Sequence, residues 1–476
     1  MAFPTLDFAF FFLVTLSVAW SLRRFRTAQK SFLLLASYFF YAQWELRLAA
    51  LLFAVSFGNW AFGEVWHRVQ PRWRKLVVTT GVLANVGLLC VFKLYDFFRS
   101  TVEDFARFLG VEAHLPILEI LLPVGISFYT FQGIAYLVDT HRGKAVRPRT
   151  LLDFLLFMAF FPKLLSGPIC RSHELLPQIQ DEAPKKVPNV EEAMTLIASG
   201  LFKKVVLAGY LATHMVDGAF QLPSSYSSIE LWVAIFAYTA QLYLDFSGYT
   251  DMARGLALLL GFRLPENFRY PYAATNIGEF WRRWHITFSR WLQDYVYFPL
   301  GGSRAGRYRT YFNQIVTFAV CGIWHGSRWG FVIWGLLHGL GLAIYKFSVD
   351  VRRDMGRDPK HSNPAWWWKV AGWALTLTFC ALVRVFFRAE DLQTAVEVFR
   401  GLFAFRLYGQ GLDVTVLFVT VLSFAIGMWG RPIFERSMRA FERVPVWARP
   451  AVLVGMGIVM LALKPSEIAP YIYFQF

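Results

Sequence analysis

Residues 318–339 read FAVCGIWHGSRWGFVIWGLLHG, an apolar run suited to the middle of a bilayer but carrying two histidines, an arginine and five glycines. About 20 apolar residues cross the ~30 Å hydrocarbon layer as a helix. Backbone left unpaired in lipid is expensive, so a broken helix there belongs inside protein or beside a cavity. Two helical blocks, 309–325 and 329–348, meeting at a break beside His325, satisfy both conditions. Gly322 and Gly326 then let backbone or a substrate come close to that histidine.

The rest of the chain repeats the apolar half of this pattern. Of 476 residues, 56% are hydrophobic and only 17% charged, whereas a soluble domain carries roughly 25% charged residues. Apolar blocks recur at about 6–22, 31–43, 47–66, 76–98, 116–138, 151–168, 194–216, 229–247, 251–263, 366–388, 412–430 and 447–463. Some are too short or too rich in glycine and proline to cross unbroken. FFPKLLSGPICR at 160–171 is one, and LLPVGISFYTFQGIAYLVD at 121–139 is another. The loops 23–30, 67–75 and 139–149 are basic, while 43–47 and 99–115 are poorer in Lys and Arg. By the positive-inside rule the basic loops are cytoplasmic and the N-terminus is periplasmic. The formal charge of +16 is then mostly an orientation signal, and no nucleic-acid partner is expected. Cys90, Cys170, Cys321 and Cys380 show no CxxC spacing and read as small buried hydrophobes.

Polar anomalies are concentrated between about 240 and 340. The stretch 172–193 reads as a solvent-facing connection with His173 on its surface. In QLYLDFSGYTDMARG at 241–255, Asp245 and Asp251 lie at membrane depth, where an acid marks either a functional interior contact or a tie between helices. Asp251 and Arg254, three apart, can pair on one helical face.

The segment 267–304 is amphipathic and expected on the cytoplasmic side. Asn276 and Glu279 resemble an N-cap with its reciprocal acid, and Gly301 and Gly302 after Pro299 a stop. Trp281, Trp284, His285, Phe288 and Leu292 form one helical stripe, with Arg282, Arg283 and Arg290 mostly off it. The arginines either snorkel to the interface, or some of Arg269, Arg282, Arg283, Arg304, Arg307 and Arg309 meet the phosphates of a cytosolic acyl donor such as coenzyme A. Trp281 and Asn276 join Arg282 and Arg283 as candidate donor contacts.

His285 and His325 are the candidate catalytic residues. The histidines lack HxxxH or HExxH spacing, so no metal site is expected, and no GxSxG is present. A neutral buried histidine is suited to removing a proton from a hydroxyl as it attacks a carbonyl. His338, 13 residues beyond His325, reads as a packed or tunnel-lining residue.

The chain resembles the membrane-bound O-acyltransferase superfamily, in its bacterial branch of alginate and other polysaccharide O-acetyltransferases. The likeness is carried by PVGISFYTFQ (123–132), FFPKLLSGPI (160–169), QLYLDFSGYTDMARG (241–255), residues 267–304, CGIWHG (321–326) and YIYFQF (471–476). It implies that His325 is the principal active-site histidine and His285 a second one near a tunnel. The fold expected is all-α: a polytopic membrane protein of about 11–13 transmembrane helices, with re-entrant or interfacial helices around a central tunnel, residues 1–476 forming one domain. The resemblance further implies acetyl-CoA as donor substrate with no tightly bound cofactor, a bacterial inner-membrane location, an exported polysaccharide acceptor and a partner of the SGNH-hydrolase type. Alginate is the favoured acceptor. Cellulose or peptidoglycan acetylation, D-alanyl transfer to teichoic acid and a non-enzymatic transporter are the alternatives.

Overall fold

A computed structural model describes residues 3–111, 115–116, 122–183, 186–187, 189–356 and 365–463. The YIYFQF ending lies outside them. The chain is all-α, with no strand among the described residues.

Among the described residues, six helices are long and apolar enough to cross a membrane: Leu46–Arg68, Pro71–Leu94, Val190–Gln221, Trp329–Asp354, Trp366–Arg388 and Val414–Glu442. Leu6–Ser21 and Arg449–Leu463 are shorter apolar helices. Phe10, Leu35, Phe53, Leu375, Phe418 and Val421 are all exposed. Apolar surface on this scale would aggregate in water and is the expected contact with lipid. Several apolar blocks do not form separate crossings. Residues 151–168 break into Leu151–Ala159 and the single turn Phe161–Leu164, where Pro162 interrupts. The blocks 229–247 and 251–263, by contrast, fuse into one helix, Ser228–Leu259.

The chain divides into two compact units, Met1–Ala198 with Tyr249–Glu266, and Ser199–Gly248 with Asn267–Phe476. In the first, the helix Ile126–His141 is buried on nearly every face, as an all-round apolar helix must be. Asn59 and Asn85 exchange side-chain hydrogen bonds at 3.2 and 2.9 Å between neighbouring helices. Lys30 pairs with Asp153 at 2.9 Å, and the expected Asp251–Arg254 pair forms at 3.6 Å. The expectation of a solvent-facing connection from 172 is corrected. Ser172–Gln180 is a helix that buries Leu175, Leu176 and Ile179, started by the Glu174 carboxylate accepting from Arg171 N–H at 2.7 Å. The surrounding prolines and charges hid that short apolar face; His173 does lie on its exposed side.

In the second unit the opening stretch forms a helical hairpin, Arg307–His325 and Trp329–Asp354. A Cβ on Gly322 would collide with the Phe331 carbonyl oxygen, and one on Gly335 with that of Phe318. The two helices therefore meet backbone against backbone, as small residues permit. Trp366–Arg388 packs on this hairpin. Val414–Glu442 bends at Trp429, three residues before Pro432, whose ring cannot accept the preceding turn's geometry. Asp245 pairs with Lys204, both buried, so this acid ties helices together. All four cysteines are free thiols, three of them buried.

Candidate active site

The segment expected as one amphipathic helix is two short ones, Ile277–Arg283 and Ile286–Leu292, parted at His285. His285 adopts a left-handed backbone, φ 41°, which is uncommon outside glycine and breaks the continuous stripe. All five stripe residues are nevertheless buried. Asn276 is the N-cap, its Oδ1 accepting from Glu279 N–H at 2.8 Å. The reciprocal bond differs from a capping box, because Glu279 reaches one residue further back, to Thr275 N–H and Oγ1–H at 2.9 and 3.0 Å. Glu279 also holds Arg283 at 2.6 Å. Gly301 and Gly302, at φ 104° and 56°, end the segment as expected.

Asn267 fixes the turn at His285. Its backbone oxygen accepts from Ile286 N–H at 2.8 Å. Its side-chain Oδ1 receives Thr287 N–H at 3.2 Å, the Thr287 hydroxyl at 2.9 Å and His285 Nδ1 at 3.1 Å. A backbone N–H can only donate, so the shared atom is oxygen, Nδ1 carries the imidazole proton and Nε2 carries the lone pair. Phe246 and Phe288 pack on the ring with centroids 4.6 and 5.0 Å away. His285 lies in the connection outside the six long helices, and burial pushes its pKa down to about 3, because removal from water penalises the charged form.

His325 is the last residue of its helix and is 5% exposed. Its ring lies against Trp324, Trp334 and Phe387, with centroids 4.5, 4.9 and 4.9 Å away. Phe288 stands near both His285 and His325. His338 accepts at Nδ1 from the Trp281 indole N–H at 3.3 Å. His285, His325, His338, Trp281 and Arg384 line one cavity inside the second unit.

The structure thus brings together three of the candidate residues, His285, His325 and Trp281. Asn276 is occupied as a cap, Arg283 by Glu279 and the Tyr270 carbonyl, and Arg307 by Asp354 at 2.6 Å; Arg282 is exposed. None of these four lines the cavity. Sequence reasoning missed Arg384 and Asn267. The signal for Arg384 was present, since an arginine inside the apolar run 366–388 is costly unless it faces the interior. Asn267 gave no such signal, because its role depends on the turn at His285. No group of three or more His, Cys, Asp or Glu that could hold a metal occurs among the described residues. A buried imidazole lone pair in an aromatic-walled cavity is suited to taking a proton from a nucleophile.

Fold and cavity together define a polytopic helical membrane protein with a histidine-lined site in the unit that contains the hairpin. A match to the membrane-bound O-acyltransferase family extends over residues 140–383, and the chain belongs to that family. It is 35% identical over 475 residues to a probable alginate O-acetylase of Pseudomonas putida, spanning 93% of this chain and 94% of the relative. To a probable alginate O-acetylase of Azotobacter vinelandii it is 39% identical over 486 residues, spanning 93% and 94%. To a peptidoglycan O-acetyltransferase of Helicobacter pylori it is 38% identical over 401 residues, spanning 78% and 73%. Family membership supports acyltransferase activity.

Proposed function

We propose that the protein takes acetyl from cytoplasmic acetyl-CoA and serves O-acetylation of an exported polysaccharide at the bacterial inner membrane, with alginate the first candidate acceptor. The observation that carries this is the convergence of His285 and His325 on one buried cavity in a chain whose relatives, matched over 94% of their length, are named probable alginate O-acetylases. A thioester carbonyl is activated and its thiolate leaves readily, so a positioned base suffices and no covalent enzyme intermediate is needed. His325 acts as general base toward the attacking hydroxyl, and His285 orients the donor or stabilises charge. The hydroxyl belongs to the polysaccharide or to a periplasmic partner of the SGNH-hydrolase type that passes the acetyl on. Peptidoglycan is the second acceptor, favoured by the likeness to the Helicobacter pylori enzyme.

The test is acetyl transfer from acetyl-CoA by the purified protein and its His325→Ala variant. Loss of about 10²–10⁴-fold in rate, with unchanged thermal unfolding in detergent, is expected. Full activity in the variant refutes the base role. Mass analysis of the cell-surface polymers with and without the gene identifies the acyl group and the acceptor.

A further inference from the structure

Arg384 and His338 are ionisable groups of the cavity to which the mechanism above gives no work, and Arg384 is the permanently charged one. It is 3% exposed, within the helix Trp366–Arg388. Its guanidinium lies over the rings of Trp284, Phe280 and Tyr272, at 4.6, 5.5 and 5.9 Å. Among the described residues, no carboxylate lines the cavity. One terminal nitrogen, Nη1, is buried with no hydrogen-bond partner among the described residues. Trp334 supplies a second such donor: its Nε1 is likewise buried and unpartnered, in a ring 4.9 Å from that of His325.

Both groups can only donate. A buried donor with no acceptor is costly, and an uncompensated buried cation more so, even against aromatic faces. Two such donors in the wall that holds His325 fit an oxygen that gains negative charge as the reaction proceeds.

We propose that Arg384 and Trp334 form the oxyanion site of the transfer reaction, an inference that rests on the acyl-transfer function proposed above. The acceptor hydroxyl oxygen bonds to the thioester carbonyl carbon while its proton passes to the His325 imidazole. The carbonyl π pair moves onto the carbonyl oxygen, which meets Arg384 Nη1–H and Trp334 Nε1–H. That pair then returns, the C–S bond breaks, and the leaving thiolate takes the proton from His325, giving ester and thiol.

Trp334→Phe removes the indole N–H while keeping an aromatic ring, and Arg384→Lys keeps the cation but loses the planar fork. Thiol release from acetyl-CoA is followed with alginate oligosaccharide, a peptidoglycan fragment or water as acceptor. Binding of S-ethyl-coenzyme A, a thioether without the carbonyl, is measured in parallel. Each variant is expected to lower kcat by about 10²-fold or more, with KM for acetyl-CoA and affinity for the thioether changed by less than about threefold. A kcat for Trp334→Phe within about threefold of wild type, with His325→Ala inactive, overturns the oxyanion site and leaves the acyl-transfer function standing. Equal losses of rate and of thioether binding also overturn it, because the residues then only shape the cavity. No thiol release by the wild type, either with any of these acceptors or in native membranes that retain its periplasmic partner, overturns the acyl-transfer function itself. If Arg384→Lys fails to fold, Trp334→Phe decides alone.

Discussion

The indole N–H of Trp281 donates to Nδ1 of His338 at 3.3 Å, with both side chains buried. An indole has no acceptor to offer, so His338 carries its proton on Nε2, while Asn267 fixes the opposite tautomer on His285. Two histidines of one cavity are thus held as mirror-image hydrogen-bonding groups. Trp281→Phe removes the donor and keeps an aromatic ring, at a cost of about 1 kcal/mol. The unfolding midpoint in detergent is expected to fall by a few degrees, with a smaller loss of transfer rate than His325→Ala gives.

Asn267 acts on the chemistry through His285 and is a positioning residue. Asn267→Ala releases the imidazole from its tautomer and is expected to lower kcat about tenfold, a fraction of what a catalytic base contributes. Thr287→Val removes only the hydroxyl bond to the same oxygen. It is expected to lower the unfolding midpoint and leave kcat unchanged. Parallel losses of rate in the two variants would make Asn267 a purely structural tie.

The space around the backbone predicts different outcomes for two glycine replacements, one in the hairpin and one outside it. At Gly335 an added methyl meets the Phe318 carbonyl, which cannot move without shifting the helix that ends in His325. Overpacking of this kind costs about 1–3 kcal/mol, and Gly335→Ala is expected to lose both stability and transfer. At Gly58, inside the helix Leu46–Arg68, a methyl meets nothing within 4 Å. Gly58→Ala should be neutral or stabilising by up to about 1 kcal/mol. Thermal unfolding of both variants checks the pair.

Arg282 and Arg283 adjoin in sequence and differ in surroundings. Arg283 is held by Glu279, whereas Arg282 is exposed. Arg282→Ala is expected to raise the acetyl-CoA concentration for half-maximal rate, with an effect that shrinks as salt screens the phosphates. Arg283→Ala is expected to change stability by less than about 1 kcal/mol, as partly exposed pairs do. Donor titrations at two ionic strengths separate them, and an unchanged half-maximal concentration in Arg282→Ala makes that arginine an interfacial anchor.

Glu279 gives the start of the segment a pH dependence. Burial would raise its pKa, but the Thr275 backbone N–H, Arg283 and the Thr275 hydroxyl outweigh it, and the folded value lies below the ordinary carboxylate value of 4.5. At pH between the folded and unfolded values the unfolded chain binds more protons, so stability rises with pH there. The contribution is complete above the unfolded value and is lost as pH falls through the folded one. Glu279→Gln should therefore unfold at a lower temperature than wild type at pH 7, and the gap should close as the pH is taken below about 4.

Much of this was legible in the sequence because lipid makes composition informative. The hairpin helices, the break at His325 and the pair Asp251–Arg254 follow from block length and spacing. The turn at His285 did not, since aromatic periodicity over 281–292 fits a continuous helix equally well. Only the long-range hydrogen bonds to Asn267, 18 and 20 residues upstream of its partners, pay for the left-handed backbone there. Arg384 and His338 became site residues through helix packing, which a single sequence does not encode locally. The structure buries His338 against Trp281, Trp334 and Phe379, neighbours that a single sequence does not name.

The aromatic walls of the cavity have an optical consequence. Of eighteen tryptophans in the chain, Trp281, Trp284 and Trp334 line the cavity, and the Trp324 ring lies tilted 4.5 Å from that of His325. Indole emission shifts with local polarity and is quenched by nearby thiols and protonated imidazoles, so a molecule entering the site perturbs a distinct subset of the fluorescence. Trp366, Trp367 and Trp368 are exposed at the start of their helix and can be replaced by Phe to lower the background without touching that subset. The protein thus carries its own light-emitting gauge of ligand entry into this cavity, readable in detergent or vesicles without a label.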